Sequence, residues 1–165
     1  MKYNHKYKFL KPKIIYVTYM NISDCSCGDL SKITAQDIMS KDVAVVSPME
    51  KLSTAEIMMI KKNIGGLPVV APKTQKLIGI ITQRDIQLSK TLIGTEIFHV
   101  DDIYSKNPVK GTLNEKLPEI IKKMHNNNIE RVPIVDDMDN VVGIVVTKDL
   151  IRSLALFFEN NFKEV

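Results

Sequence analysis

Two aspartates stand in matching surroundings. Asp85 and Asp149 each lie six residues after the glycine of an apolar run, in Leu77-Ile78-Gly79-Ile80-Ile81 and in Val141-Val142-Gly143-Ile144-Val145. Each is placed to open a helix directly after a strand. Backbone N–H groups at a helix start attract anions, so a phosphate is favoured nearby. A carboxylate at that position can accept two hydrogen bonds from a ribose diol, the role an acid plays in dinucleotide-binding folds. A local reading competes, because Thr82-Gln83-Arg84-Asp85 is also a simple capping arrangement. The second copy separates the two readings. Val146 replaces Thr82 and has no side chain to cap with, yet Asp149 keeps its spacing from Gly143. A plain acid in the first helical turn remains the alternative there. Arg84 and Lys148 precede the aspartates, either within reach of a phosphate or as exposed helix charges.

Catalytic constellations are not evident. His5, His99 and His125 fall in unrelated contexts, with no paired acid or cysteine spacing around them. No Gly-x-x-x-x-Gly-Lys phosphate loop occurs, and Gly65-Gly66 leads into a strand rather than a helix. Cys25 and Cys27 supply two thiolates, half of a tetrahedral zinc or iron site. Completing it takes His5 or a second chain. The plainer expectation is two free thiols in a linker, since cysteines one residue apart fit disulfide geometry poorly.

The elements that must position the aspartates come from an internal repeat. Asp37-Ile38-Met39-Ser40-Lys41 matches Asp102-Ile103-Tyr104-Ser105-Lys106 at an offset of 65. Met49-Glu50-Lys51-Leu52 matches Asn114-Glu115-Lys116-Leu117, and Leu67-Pro68-Val69-Val70 matches Val132-Pro133-Ile134-Val135, at the same offset. The glycine-centred runs and the aspartates follow at offset 64, one residue having been lost in a turn.

Each copy reads β-α-β-β-α. The first strands are the apolar runs Val43 to Val46 and Val109 to Thr112. A helix follows, with a capping box over Ser53-Thr54-Ala55-Glu56 in the first copy and Pro118 in the first turn of the second. Leu117, Ile120, Ile121 and Met124 fall on one helical face. Polar turns separate the two later strands, and last helices start near Arg84 and Lys148. The expected fold class is α+β, two units packed sheet to sheet as a pseudo-twofold pair. A single copy buries too little surface to stand alone, and exposed helix faces favour a homodimer. The expected organisation is an extension and linker over 1–32, a first motif over 33–90, a connection over 91–99 and a second motif over 100–159.

The 165 residues carry a net charge of +4, unevenly spread. Residues 1–23 hold five lysines and no acid, so the remaining 142 sum to −1. Tyr3, Tyr7, Tyr16 and Tyr19 also lie in that leader, and Met20 offers an alternative start. No stretch approaches the ~20 apolar residues of a membrane span, and the leader lacks the apolar core of a secretory signal. A cytoplasmic location is expected, where a reducing environment disfavours a disulfide.

The ordered set Asp-Ile-Met-Ser, Gly-Gly-Leu-Pro-Val-Val and Leu-Ile-Gly-Ile-Ile-Thr-Gln-Arg-Asp-Ile resembles the CBS motif. Its partner is Glu-Arg-Val-Pro-Ile-Val-Asp with Val-Val-Gly-Ile-Val-Val-Thr-Lys-Asp-Leu, and the pair resembles a Bateman module over about residues 33–155. The resemblance implies a non-catalytic sensor of adenosine derivatives such as AMP, ADP, ATP or S-adenosylmethionine, acting on a regulated protein. It implies two clefts between paired sheets, with Asp85 and Asp149 on the ribose hydroxyls and Thr82 assisting. Arg131 stands where the family often places a phosphate-binding base, and is expected to serve the Asp149 cleft. The adenine slots are expected from the opposite copy: Ile38, Met39 and Val43 with Asp149; Ile103, Tyr104 and Pro108 with Asp85. Val146 departs from the pattern, so unequal clefts are expected. Two other readings compete: an empty-cleft protein–protein scaffold, and a nucleic-acid-associated protein using the Lys- and Tyr-rich residues 1–19.

Overall fold

The computed structural model describes residues 29–93 and 98–161. The basic leader, Met20, Cys25 and Cys27 lie outside the described residues, as do residues 94–97 of the connection. The elements are α1 (Ala35–Ile38), α2 (Leu52–Lys62), β1 (Gly66–Val70), β2 (Leu77–Thr82), α3 (Gln83–Ile93), β3 (Ser105–Lys106), β4 (Gly111–Thr112), α4 (Leu117–Asn127), β5 (Arg131–Val135), β6 (Val141–Val146) and α5 (Thr147–Asn161). Single 3-10 turns precede α1 at Leu30–Lys32 and β3 at Val100–Asp102.

Two three-stranded sheets form, β1-β2-β3 and β4-β5-β6. β1 and β2 pair antiparallel from Gly66↔Thr82 to Val70↔Leu77, and β5 and β6 repeat this from Arg131↔Val146 to Val135↔Val141. The expected first strands are shorter than their apolar runs. In the second copy only Gly111 and Thr112 pair, parallel to β5. In the first, Val46 makes one parallel bridge to Val69. The chain meets each sheet only at the end of the run, so the earlier residues stay outside the ladder.

The leading segment of each copy joins the other copy. β3, from the second copy, closes the edge of β2 through Gly79↔Lys106 and Ile80↔Ser105. Ser40, from the first copy, bridges Ile144 of β6. Two hydrophobic cores result. The second core, that of the second copy, gathers Ile33, Ala35, Ile38 and Met39 under α4, β5 and β6. The other gathers Val100, with Ile103 and Tyr104 packed against it, under α2, β1 and β2. Each core is thus completed by the leading segment of the other copy.

This exchange sets the helix starts. α2 begins at Leu52 with Lys51 as N-cap and no side-chain cap bond, so the Ser53–Glu56 capping box does not form. The first N–H, on Leu52, donates to the carbonyl of Phe98 at 2.9 Å, and that of Leu117 donates to Ile33 at 2.9 Å. A carbonyl from the opposite copy satisfies a donor that a hydroxyl otherwise would. Glu56 is freed to accept from Lys90 of α3 at 2.7 Å. Pro118 does sit in the first turn of α4. On that helix Leu117, Ile120 and Met124 are buried, but Ile121 is 40% exposed.

Candidate functional site

β2 delivers Thr82 to the first turn of α3, where Asp85 turns back onto it. The backbone N–H and the hydroxyl of Thr82 both donate to Asp85 Oδ2, at 2.8 and 2.7 Å. The Asp85 N–H returns a bond to Thr82 Oγ1 at 3.2 Å. Among the described residues nothing donates to Asp85 Oδ1, which leaves one carboxylate oxygen for a ligand. The cap therefore orients the acid without consuming it.

Asp149 shows that the local role does not need a hydroxyl. The N–H of Val146 donates to Asp149 Oδ2 at 2.8 Å. The same bond, from residue i to an acid at i+3, recurs at Thr34–Asp37 and His99–Asp102, also at 2.8 Å. The expectation that Asp149 has no capping partner is corrected: a backbone donor suffices. Asp149 is buried, and burial pushes its carboxyl above the usual carboxylate range, opposed by the Val146 bond and by nearby Arg152 and Lys148.

Around Asp85 opens a cleft of about 980 Å³. Its walls come from both copies: the start of α3 with Thr82, Arg84 and Asp85; the segment Ser105 to Val109; α4 through Ile121, Met124 and His125; and Asn128 to Arg131. The size and mixed lining suit a small organic ligand. Ile121, His125 and Asn128 were not anticipated as cleft residues. Their i, i+4, i+7 spacing places them on one helical side, but which side met a cleft was not written in that spacing.

Arg131 belongs to this cleft, a correction to the expected pairing with Asp149. It opens β5 at the position equivalent to Gly66. A Cβ on Gly66 would collide with Arg131 Nη1 and stand 2.9 Å from the Ile81 carbonyl, while one on Gly65 would stand 3.0 Å from Arg131 Nη2. The absent side chains of Gly65 and Gly66 leave the space that the guanidinium occupies. Arg131 keeps 17% side-chain exposure and lies 3.7 Å from the exposed carboxylate of Glu130. Burial lowers its pKa, and Glu130 and Asp85 oppose that shift. A half-buried guanidinium beside a free carboxylate oxygen can hold a phosphate and a diol together.

The remaining expected residues divide. Pro108 and Arg84 line the Asp85 cleft. Ile103 and Tyr104 do not; both pack against the first core, with Tyr104 lying where a Cβ of Gly79 would be. A sheet glycine gives the ring its seat, and the ring is thereby turned from the cleft. Ile38 and Met39 are buried in the second core, Met39 over Gly143, and Ser40 anchors this segment to β6, the strand leading to Asp149. Val43 is half-buried and Lys148 is exposed. No group of three or more metal-ligating side chains gathers among the described residues. Among them, too, no helix is long and apolar enough to cross a membrane.

A family model described as the CBS domain matches residues 35–88 and 100–156. The chain belongs to the CBS domain family. This CBS pair is 35% identical over 116 residues to inosine-5′-monophosphate dehydrogenase of Thermoplasma acidophilum, covering 70% of the chain but only 22% of that enzyme. It is 36% identical over 118 residues to the CBS domain-containing protein YhcV of Bacillus subtilis, covering 71% of the chain and 82% of YhcV. Among solved structures, the CBS domain pair of protein MJ0100 superposes with a TM-score of 0.69 at 32% identity, covering 74% of this chain and 96% of that one. That pair was solved in complex with 5′-methylthioadenosine and S-adenosyl-L-methionine.

Proposed function

We propose that this CBS pair is a non-catalytic regulatory module that binds an adenosine-type nucleotide between its two copies and passes the binding state to a partner protein. The observation that carries the reading is the Asp85 cleft. There Thr82 orients a carboxylate with one open oxygen, and Arg131 reaches in from the opposite copy. Asp85 takes the ribose hydroxyls and Arg131 a phosphate. Arg84 assists at the rim, and Pro108 borders the base. The adenosine ligands held by the MJ0100 pair support this class. A second site would use Asp149 with Ile38, Met39, Val43 and Lys148. The ligands are AMP, ADP, ATP or S-adenosylmethionine, and the cell compartment is the cytoplasm. Because the cleft draws walls from both copies, a bound ligand favours one relative placement of the copies, which is what a partner reads.

The module works as a homodimer. Ile57 and Ile60 of α2, Leu88 of α3, and Ile151 and Phe158 of α5 are 51–65% exposed. Large apolar side chains grouped on helices favour a covering protein surface. A second reading, an empty-cleft scaffold, is favoured by one observation: the Asp85 and Asp149 caps copy those at Asp37 and Asp102, so both acids have a structural occupation.

Calorimetric titration with AMP, ATP and S-adenosylmethionine separates the readings. The nucleotide reading expects binding by the wild-type chain, weakened roughly tenfold or more in Asp85→Ala through loss of a charge-assisted bond. Absence of binding by all three ligands favours the scaffold.

A further inference from the structure

The exchanged leading segments divide the chain into two bodies that differ from the two copies. The first body holds α2, β1, β2 and α3 together with residues 98–106, whose β3 closes the β2 edge. The second holds residues 29–40 together with β4, α4, β5, β6 and α5. Lys110 belongs to the second body, where its ammonium pairs with Asp139 and its carbonyl accepts from Lys123 at 2.8 Å. The described chain therefore crosses between the bodies over 41–45 and over 107–109.

Among the described residues, a single backbone hydrogen bond joins the bodies. The Leu77 N–H donates to the Asp139 carbonyl at 2.9 Å, beside an antiparallel bridge between Lys76 and Asn140. Lys76 and Asn140 are repeat equivalents, so the bridge lies on the pseudo-twofold axis. The turns that meet there carry opposite charges, Lys73 and Lys76 against Asp136, Asp137 and Asp139, which favours their staying together. At the far ends of the hairpins Arg131 lies against Gly65 and Gly66. That contact is made by a long side chain, whose rotamers can follow a movement of the backbone.

We propose that the two bodies hinge at the Lys76–Asn140 bridge, and that a ligand in the Asp85 cleft sets the hinge angle through the Asn107–Val109 crossover. Asn107, Pro108 and Val109 are at once a wall of the cleft and the chain that links the bodies. Asn107 takes a left-handed backbone with φ 52°, a turn that asparagine tolerates, and the Pro108 ring fixes the next φ. A crossover this short and stiff passes a displacement on. The other crossover is longer, and its Asp42 pairs with Lys62 of α2 at 3.6 Å, outside the cleft walls. A ligand held between Asp85 of the first body and this wall favours one hinge angle. The ligand's part rests on the nucleotide reading above; the hinge itself does not.

The test measures distances between spin labels in the full chain, with Cys25→Ser and Cys27→Ser as background and labelled chain diluted into unlabelled. One label pair, Lys61→Cys with Asn126→Cys, sits at the ends of α2 and α4, beside the hairpin ends remote from the bridge. The other, Lys73→Cys with Asp137→Cys, flanks the bridge, and all four positions are exposed. In the free chain the Lys61–Asn126 distances are expected to spread more widely than the Lys73–Asp137 distances. AMP is expected to shift the first pair by about 2 Å or more and the second by less than about 1 Å. Calorimetry on the same variants shows whether AMP binds. If it binds and both pairs shift alike, or neither shifts, the hinge is overturned while the nucleotide reading stands. If AMP does not bind, the nucleotide reading and the ligand's part fall, and equal spreads in the free chain overturn the hinge as well.

Discussion

At the residue scale, Asp149 and Thr82 make opposite contributions. Asp149 is 6% exposed, and burial holds its carboxyl above the usual carboxylate range. An acid whose folded pKa is raised loses stability as pH climbs from the unfolded value through the folded one. Asp149→Asn removes that cost and keeps an oxygen for the Val146 N–H. Its melting temperature is expected to match wild type near about pH 3 and to exceed it by a few degrees near pH 7. A lower melting temperature than wild type at neutral pH contradicts this. Thr82→Val imitates the second copy: it keeps the N–H bond to Asp85 and removes the hydroxyl bond of 2.7 Å. Denaturant unfolding is expected to show a loss of about 0.5–1.5 kcal/mol. Both aspartates were legible as a repeated pair from their spacing to Gly79 and Gly143. Arg131 was legible as a residue but not as a member of the Asp85 cleft. Which copy a guanidinium crosses to depends on Gly65 and Gly66 leaving room, a three-dimensional fact.

The elements follow the sequence wherever a segment is stabilised by its own copy and depart from it where the copies exchange. The hairpins β1-β2 and β5-β6 lie where the apolar runs and polar turns place them. α3 and α5 begin at Gln83 and Thr147, one residue before the expected starts. α2 starts at Leu52, ahead of the Ser53–Glu56 box, because its first N–H donates to the Phe98 carbonyl, which no local pattern reveals. Tyr104 and Met39 occupy matching seats over Gly79 and Gly143, but the seats differ in tolerance. A Cβ on Gly79 meets the Tyr104 ring and lies 2.7 Å from the Ser105 carbonyl of β3. A Cβ on Gly143 meets the flexible thioether of Met39. Gly79→Ala is therefore expected to cost about 1–3 kcal/mol and Gly143→Ala less, as read from paired denaturation curves. Equal costs contradict the assigned packing.

On the scale of the whole molecule, the exchange of leading segments makes the pair one cooperative unit. Residues 33–39 complete the second core and residues 98–104 the first. A fragment ending at residue 93 thus lacks part of its own core and its third strand. It is expected to be unfolded by circular dichroism, while the full chain unfolds in a single transition seen alike by far- and near-ultraviolet signals. Two separated transitions contradict the exchange. The same architecture places the Asp85 cleft across the two copies, which is why a ligand there bears on their relative placement. The most direct measurement of that claim is an AMP titration followed by amide chemical shifts of the isotopically labelled chain. Saturable shifts are expected, concentrated at Thr82 to Gln87, Ser105 to Val109 and Asn128 to Arg131. Absent shifts, or shifts confined to the outer faces of α2 and α5, contradict it.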